Sequence, residues 1–234
     1  MSKVILVTGG QANQGLGYEF VKQLAEHGHT VYLGARDIDK GNDAVSKIGL
    51  DNVHALKIEV TNGDSVNESV QSFKTKESHL DMLINNAGIA GRKNNGCDVG
   101  EMQDIFNTNV FGVARVTNAY LDLLKKSEKP TIWNIGSMIG AIGLITNVNA
   151  PAREWLPYSA SKTAMHVYTI MLSQQHPDIK INVVNPGYCG TNLNEFAGTM
   201  KPCESVKSIV DELILSDNTE TGKFYTFTGE EISW

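Results

Sequence analysis

The chain predicts an α/β protein: a doubly wound parallel sheet of about seven strands with helices on both faces. Three observations carry that prediction. Largely apolar runs of strand length recur along the sequence, amphipathic helical patterns lie between them, and the first run, wholly apolar, ends in a glycine-rich turn. Short runs without polar alternation mark strands buried on both faces, and strand alternating with helix calls for parallel βαβ units with right-handed crossovers.

Taken in order, the first run covers residues 4–7 and leads into Thr8-Gly9-Gly10. Similar runs follow at 30–35, 53–60, 80–85, 131–135, 180–184 and 223–227. Helical patterns, with apolar residues recurring every three or four positions, fall at about 15–27, 40–48, 64–76, 101–126, 155–175 and 205–215. No repeat, low-complexity stretch or Pro/Gly-rich linker divides the chain, so residues 1–234 read as a single domain. A domain of this length buries roughly 70–75% of its unfolded surface, ample for one core.

Composition narrows the function classes. With 41% hydrophobic and 20% charged residues, the chain is an ordinary globule. A net charge of −6 disfavours a nucleic-acid or anionic-membrane partner, while leaving room for a local basic pocket. Cys97, Cys189 and Cys203 are widely spaced and form no metal-ligand pattern with histidine, so no metal is expected. They read as thiols of a reducing compartment, and no charged leader precedes a long apolar span. The expectation is a cytoplasmic protein.

Three segments, 88–100, 138–157 and 187–202, lack a regular period, and each follows the carboxyl end of a predicted strand. Ligands of open α/β sheets bind outside those ends, so the three should rim one cleft.

Tyr158-Ser-Ala-Ser-Lys162 places a phenol and an ammonium one helical turn apart, on one face. At ~4 Å and an effective dielectric of ~20, their attraction is about 4 kcal/mol, or ~3 pKa units at most. That would bring a tyrosine from ~10 toward ~7, where it trades protons at neutral pH. Taken alone, the spacing is shared by many surface pairs; the rest of the chain must carry the assignment.

The turn after the first strand runs Thr8-Gly9-Gly10-Gln11-Ala12-Asn13-Gln14-Gly15-Leu16-Gly17. Glycines let backbone approach a pyrophosphate, and the helix that follows offers free N–H groups. In this position the turn marks a Rossmann-type dinucleotide site, and the lack of Gly-Lys-Ser/Thr argues against a P-loop. Arg36 closes the second strand, where an acid would bind a ribose 2′-hydroxyl and an arginine a 2′-phosphate. NADP(H) is therefore favoured over NAD(H), although Arg36 could instead pair with the adjacent Asp37.

With these residues in view, the chain resembles the short-chain dehydrogenase/reductase family over essentially its whole length. The glycine turn, Asn85-Asn86-Ala87-Gly88, Asn109, Ser137, Tyr158 with Lys162, and Pro186-Gly187-Tyr188-Cys189-Gly190-Thr191 appear in the family's order. Within it, Gly222-Lys223-Phe224-Tyr225 and Gly229 to Trp234 look like carbonyl-reductase-type members. The resemblance implies that Gly9, Gln14, Gly15 and Leu16 line the cofactor, and which of residues Gln11 to Gln14 meets the phosphates stays open. Asn86, Ala87 and Gly88 would line its adenosine side, with Glu59 and Val60 near adenine. Pro186, Gly187, Cys189 and Thr191 would hold the nicotinamide end. Asn109 would hold a water linking Lys162 to solvent. Ser137 and Tyr158 would bind the carbonyl oxygen, with Tyr158 as general acid. Lys162 would lower the tyrosine pKa and grip the nicotinamide ribose.

Three departures from the family pattern stand out. Five residues separate Gly9 from Gly15, two more than usual, and Gln14 stands where many NADP-using members place a basic residue. Glu59 stands where the family usually has an aspartate. Ser137 and Tyr158 are 21 positions apart, several more than usual. From the intervening loop Met138, Ile142, Leu144 and Trp155, with Phe196 from the last segment, are expected to form an apolar pocket for an aryl or alkyl carbonyl compound.

The resulting expectation is NADPH-dependent reduction of a ketone or aldehyde to an alcohol. The alternatives are NAD(P)+-dependent oxidation of a secondary alcohol and a non-catalytic NADP-binding sensor. The expected partner is a small carbonyl or alcohol substrate, and a homo-oligomer (dimer or tetramer) and a monomer both remain open.

Overall fold

The computed structural model describes residues 2–10, 14–91, 98–145, 154–216 and 220–234. Residues 11–13 of the glycine turn, Cys97 and parts of the first two rim segments (92–97 and 146–153) lie outside them. Seven strands form one sheet: β1 (Val4–Thr8), β2 (Thr30–Ala35), β3 (Val53–Lys57), β4 (Met82–Asn85), β5 (Thr131–Ile135), β6 (Lys180–Asn185) and β7 (Phe224–Thr226). Their order is β3-β2-β1-β4-β5-β6-β7, and every adjacent pair is parallel.

Alternation along each strand divides the core in two. Ile5, Val7, Val31 and Leu33 pack with Phe20, Val21 and Leu24 of α1 (Leu16–Glu26) and with Val206 and Ile209 of α8 (Pro202–Ile209). Leu6, Tyr32 and Leu83 point the other way. They meet Val66, Val70 and Phe73 of α3 (Gly63–Lys74), Val116 and Tyr120 of α5 (Val113–Leu124), and Leu172 of α7 (Leu156–Gln175). Period-two alternation between two helical layers is why the strands read as largely apolar runs.

Capping chemistry places the helix ends. Asp37 accepts from the N–H groups of Asp39 and Lys40, so α2 (Ile38–Ile48) starts two residues before the position expected. It ends at Gly49, which adopts a left-handed φ of 69°. Asp98 accepts from Glu101 N–H and starts α4 (Val99–Phe106).

The single helix expected over 101–126 is interrupted. A π-helical turn, Asn107–Gly112, separates α4 from α5. The second half of the last helical pattern is likewise a π-helical stretch, Val210–Ile214. The segment 138–157, expected to be wholly irregular, contains a 3₁₀ turn, Met138–Gly140, and a short helix α6 (Ile142–Ile145).

β1 is the switch point. The chain winds outward through β2 and β3, then returns to place β4 on the other side of β1. The loops leaving β1 and β4 therefore part in opposite directions and open a crevice at the carboxyl edge.

Candidate active site

The cleft at that edge has a volume of about 710 Å³. Its floor begins at the glycine turn. Gly9 has φ 76°, and a Cβ there would lie 2.7 Å from the Ala87 Cα. A Cβ on Gly17 would lie 2.6 Å from Asn86 Nδ2. Thr8 fastens the turn to the end of β4: its hydroxyl accepts from the N–H groups of Asn86 and Ala87, and its carbonyl accepts from Asn86 Nδ2. No side chain caps α1 at Gly15. A missing cap costs about 1 kcal/mol, which fully buried Phe20, Val21 and Leu24 easily offset at ~1.5–3 kcal/mol each. The first turn of α1 thus keeps its N–H groups for an anion, beside a glycine floor that side chains would block. That cradle fits a dinucleotide pyrophosphate.

Every residue assigned to the cofactor lines this cleft. Gly9, Gln14, Gly15 and Leu16 form the turn. Arg36 follows β2, Glu59 and Val60 follow β3, and Asn86, Ala87 and Gly88 follow β4. Tyr158 and Lys162 come from α7, and Pro186, Gly187, Cys189 and Thr191 follow β6. Glu59 does not project freely, since its carboxylate accepts from the Thr61 hydroxyl at 3.2 Å. Thr191 stands at the N-cap of a 3₁₀ turn, Asn192–Asn194, and its N–H donates to Asn194 Oδ1 at 3.1 Å.

The opposite wall carries Ser137, Tyr158 and Lys162. Ser137 leaves β5 in an extended conformation and begins the 3₁₀ turn without capping it, so its hydroxyl has no local duty. It lies close enough to the Tyr158 phenol to favour the ionised form. Lys162 is buried, and its Nζ donates to the Ile135 carbonyl at 2.7 Å.

Here the structure corrects the expected electrostatics. Protein atoms crowd the Tyr158 hydroxyl, and burial pushes its pKa up to about 12 instead of down toward neutrality. Burial likewise pulls Lys162 down to about 8. The physical reason is desolvation, which penalises the charged form of each group. The ammonium stands 5.6 Å from the tyrosine ring centre. At neutral pH the phenol keeps its proton.

Asn109 lies in the π-helical turn and is buried. Its Oδ1 accepts from Ile89 N–H at 2.9 Å, and its Nδ2 donates to the Ile89 carbonyl and the Ser161 hydroxyl. The side chain therefore mimics a strand partner for the loop after β4. Ser161, which also donates to the Tyr158 carbonyl, ties that loop to the helix bearing the tyrosine. The role of Ser161 was missed, although it sits inside the Tyr158-to-Lys162 motif.

The expected apolar pocket is largely not formed by the residues named for it. Trp155 lines the cleft, but Met138, Ile142, Leu144 and Phe196 do not. Met138 and Ile142 are exposed on the 3₁₀ turn and α6, and Phe196 is exposed with a left-handed φ of 61°. Leu144 packs against the core cluster that contains Ala141, Met165 and Phe224. Apolar character alone did not reveal direction, which depends on how each turn faces α7. Ile89, Ala90, Ile139, Tyr188 and Leu193 line the cleft instead. Their proximity to Asn86-Ala87-Gly88, Ser137 and Pro186-Gly187 was the available signal. Among the described residues no group of His, Cys, Asp and Glu could hold a metal ion, and no helix is long and apolar enough to cross a membrane.

A glycine cradle that fits a dinucleotide thus shares one cleft with a serine, a tyrosine and a lysine, at the edge of a seven-stranded parallel sheet. A family model described as short chain dehydrogenase matches residues 3–202, and the chain belongs to that family. It is 28% identical to (+)-neomenthol dehydrogenase of Capsicum annuum, across 96% of this chain and 95% of that protein. A short-chain dehydrogenase/reductase of Aspergillus fumigatus is 32% identical over 95% of this chain and 91% of its own length. Among solved structures, the NADPH-bound carbonyl reductase from chicken fatty liver superposes with a TM-score of 0.86 and 26% identity, covering 100% of this chain and 99% of that one. The carbonyl reductase Sniffer of D. melanogaster gives 0.85 and 25%, with both chains covered completely. The chain is thus a dehydrogenase/reductase acting on carbonyl or alcohol substrates.

Proposed function

We propose that this enzyme reduces a ketone or aldehyde to an alcohol with NADPH, and that Tyr158 delivers the proton. The observation that carries this reading is the convergence of Ser137 and Tyr158 on one wall of the cleft, opposite the glycine cradle. NADPH, when bound, supplies a hydride. Both hydroxyls are placed to donate to the substrate oxygen and to offset the negative charge that grows there. A phenol of pKa about 12 is fully protonated at neutral pH, as an acid must be. It remains a stronger acid than an aliphatic alcohol, taken as comparable with water at ~15.7, so proton transfer to the alkoxide runs downhill.

Lys162 holds the ribose side of the cleft while its ammonium is anchored on Ile135. The preference for NADPH rests on Arg36, exposed at the cleft edge beyond β2 where a 2′-phosphate would stand. Unpaired Cys189 and Cys203 accord with a cytoplasmic location.

The test is a panel of ketones and aldehydes, followed by loss of reduced-nicotinamide absorbance with NADPH and NADH in parallel. Turnover of an apolar ketone or aldehyde, faster with NADPH, is the expected result. Cofactor oxidation that no carbonyl compound accelerates would overturn the reading.

A further inference from the structure

Tyr158 and Lys162 are followed at the same spacing by His166, a buried residue on the same face of α7 that the chemistry above leaves without a role. Its ring lies directly behind the catalytic serine. Nε2 accepts a long hydrogen bond, 3.5 Å, from the Ser137 backbone N–H. Nδ1 has no partner in hydrogen-bonding geometry, although the Gly140 carbonyl lies close enough to favour a proton on the ring.

The surroundings are shaped around this ring. A Cβ on Gly136 would lie 2.7 Å from Nε2, and one on Gly140 would lie 3.0 Å from Cε1. Glycines on both sides of Ser137 thus open the space the imidazole fills. The far side of the ring is closed by Phe224 at 4.6 Å and Trp234 at 5.8 Å between ring centres. Trp234 in turn accepts from Gly143 N–H, just beyond the serine turn.

His166 is one of three grips. The Ser159 hydroxyl donates to the Ile139 carbonyl, and the Thr163 hydroxyl donates to the Gly140 carbonyl at 2.9 Å. Ser159, Thr163 and His166 fall at i, i+4 and i+7, a stripe along one helix face. The helix that carries Tyr158 therefore holds the turn that carries Ser137 at successive points. Of these three, His166 is the one that reaches the serine itself.

We propose that His166 is a positioning residue for Ser137: its neutral imidazole, protonated at Nδ1, holds the serine amide from behind and keeps the hydroxyl aimed at the Tyr158 phenol. The inference rests on the reductase reading of the same site. An acceptor at Nε2 requires a ring that stays neutral, and the setting enforces it. Burial and the Lys162 ammonium one turn away both disfavour a second proton, drawing the pKa down to about 3.

The experiment pairs His166→Phe, which keeps an aromatic ring and removes the acceptor, with His166→Gln, which retains one. His166→Phe should lower kcat about 10- to 100-fold, below the ~10²–10³ expected for losing an oxyanion donor outright. NADPH affinity, read by fluorescence titration, should be unchanged, and His166→Gln should recover much of the loss. In a Ser137→Ala background, His166→Phe should cost nothing more, because the two act as one unit. Losses that multiply in the double variant, or equal kcat defects in the Phe and Gln variants, would overturn the proposal in favour of simple packing.

A readout independent of turnover uses long-range proton–nitrogen NMR of the unmodified enzyme. A neutral, Nδ1-protonated ring between pH 5 and 8 is expected. The opposite tautomer, or titration near the ordinary histidine value, would overturn the proposal even if a variant fails to fold. A wild-type enzyme with no turnover counts against the reductase reading alone, and the tautomer still decides His166.

Discussion

Lys162 and Tyr158 share one face of α7 with the ammonium 5.6 Å from the ring centre, while the ammonium's close hydrogen bond, at 2.7 Å, goes to the Ile135 carbonyl. The two groups are neighbours but do not neutralise one another. Each is shifted by burial toward its uncharged form, the phenol to about 12 and the amine to about 8. The pair therefore combines a donor that is protonated at neutral pH with a cation whose charge is conditional on pH.

That asymmetry predicts the alkaline limb of the pH profile. A lysine of pKa about 8 is charged below that pH and neutral above it, whereas the phenol does not titrate there. The kcat/KM for carbonyl reduction, which reports free-enzyme groups, should fall with unit slope above about pH 8. A profile flat to pH 10 would show that the lysine charge is not required.

Replacing Tyr158 by Phe removes the donor and leaves the cradle intact. Turnover should drop by roughly 10²–10⁴-fold, with NADPH affinity within a few-fold of wild type. Stopped-flow reduction and a cofactor titration on the same preparation separate the two. Near-normal turnover would remove Tyr158 from the chemistry.

For Arg36, an exposed side chain at the cleft edge, the expected contribution is that of a charged hydrogen bond, about 1.5–3 kcal/mol, reduced by solvent screening. Arg36→Ala should raise the KM for NADPH by about tenfold and hardly change that for NADH. The difference should shrink as salt is raised, since exposed charges are screened. Equal effects on both cofactors would make Arg36 a structural residue.

Asn109→Leu should be costly to stability. It removes the two part-buried hydrogen bonds that the side chain makes to the Ile89 N–H and carbonyl, at about 0.5–1.5 kcal/mol each. A lower urea midpoint at unchanged m-value is expected. A midpoint equal to wild type would mean that solvent replaces the amide, and that the Ile89 loop does not depend on it.

Much of this molecule is legible in one dimension. The apolar runs that became β1, β2 and β5 have the expected bounds or nearly so, because a strand buried on both faces is apolar at most positions. The glycine turn was readable because backbone approach to a phosphate demands glycine at particular offsets, and Gly9 and Gly15 both adopt positive φ. Helix starts were read less well. Asp37 and Asp98 moved two of them outward through capping bonds that hydrophobic period does not register. Nothing in the period of residues 101–126 announced the π-helical turn that carries Asn109.

Read alone, the sequence determined which residues are chemically competent and in which order the chain delivers them to the sheet edge. Spacing and residue type are local properties, and they suffice for that. Only the tertiary structure decided what those residues do to one another. Burial reversed the expected direction of the Tyr158 shift, and a carbonyl 27 positions away took the ammonium's hydrogen bond. The facing of each turn sent Leu144 into packing while leaving Trp155 in the cleft, and two glycines made room for His166 behind Ser137. Desolvation and hydrogen-bond partnership depend on atoms brought together from distant parts of the chain, and no local pattern encodes them.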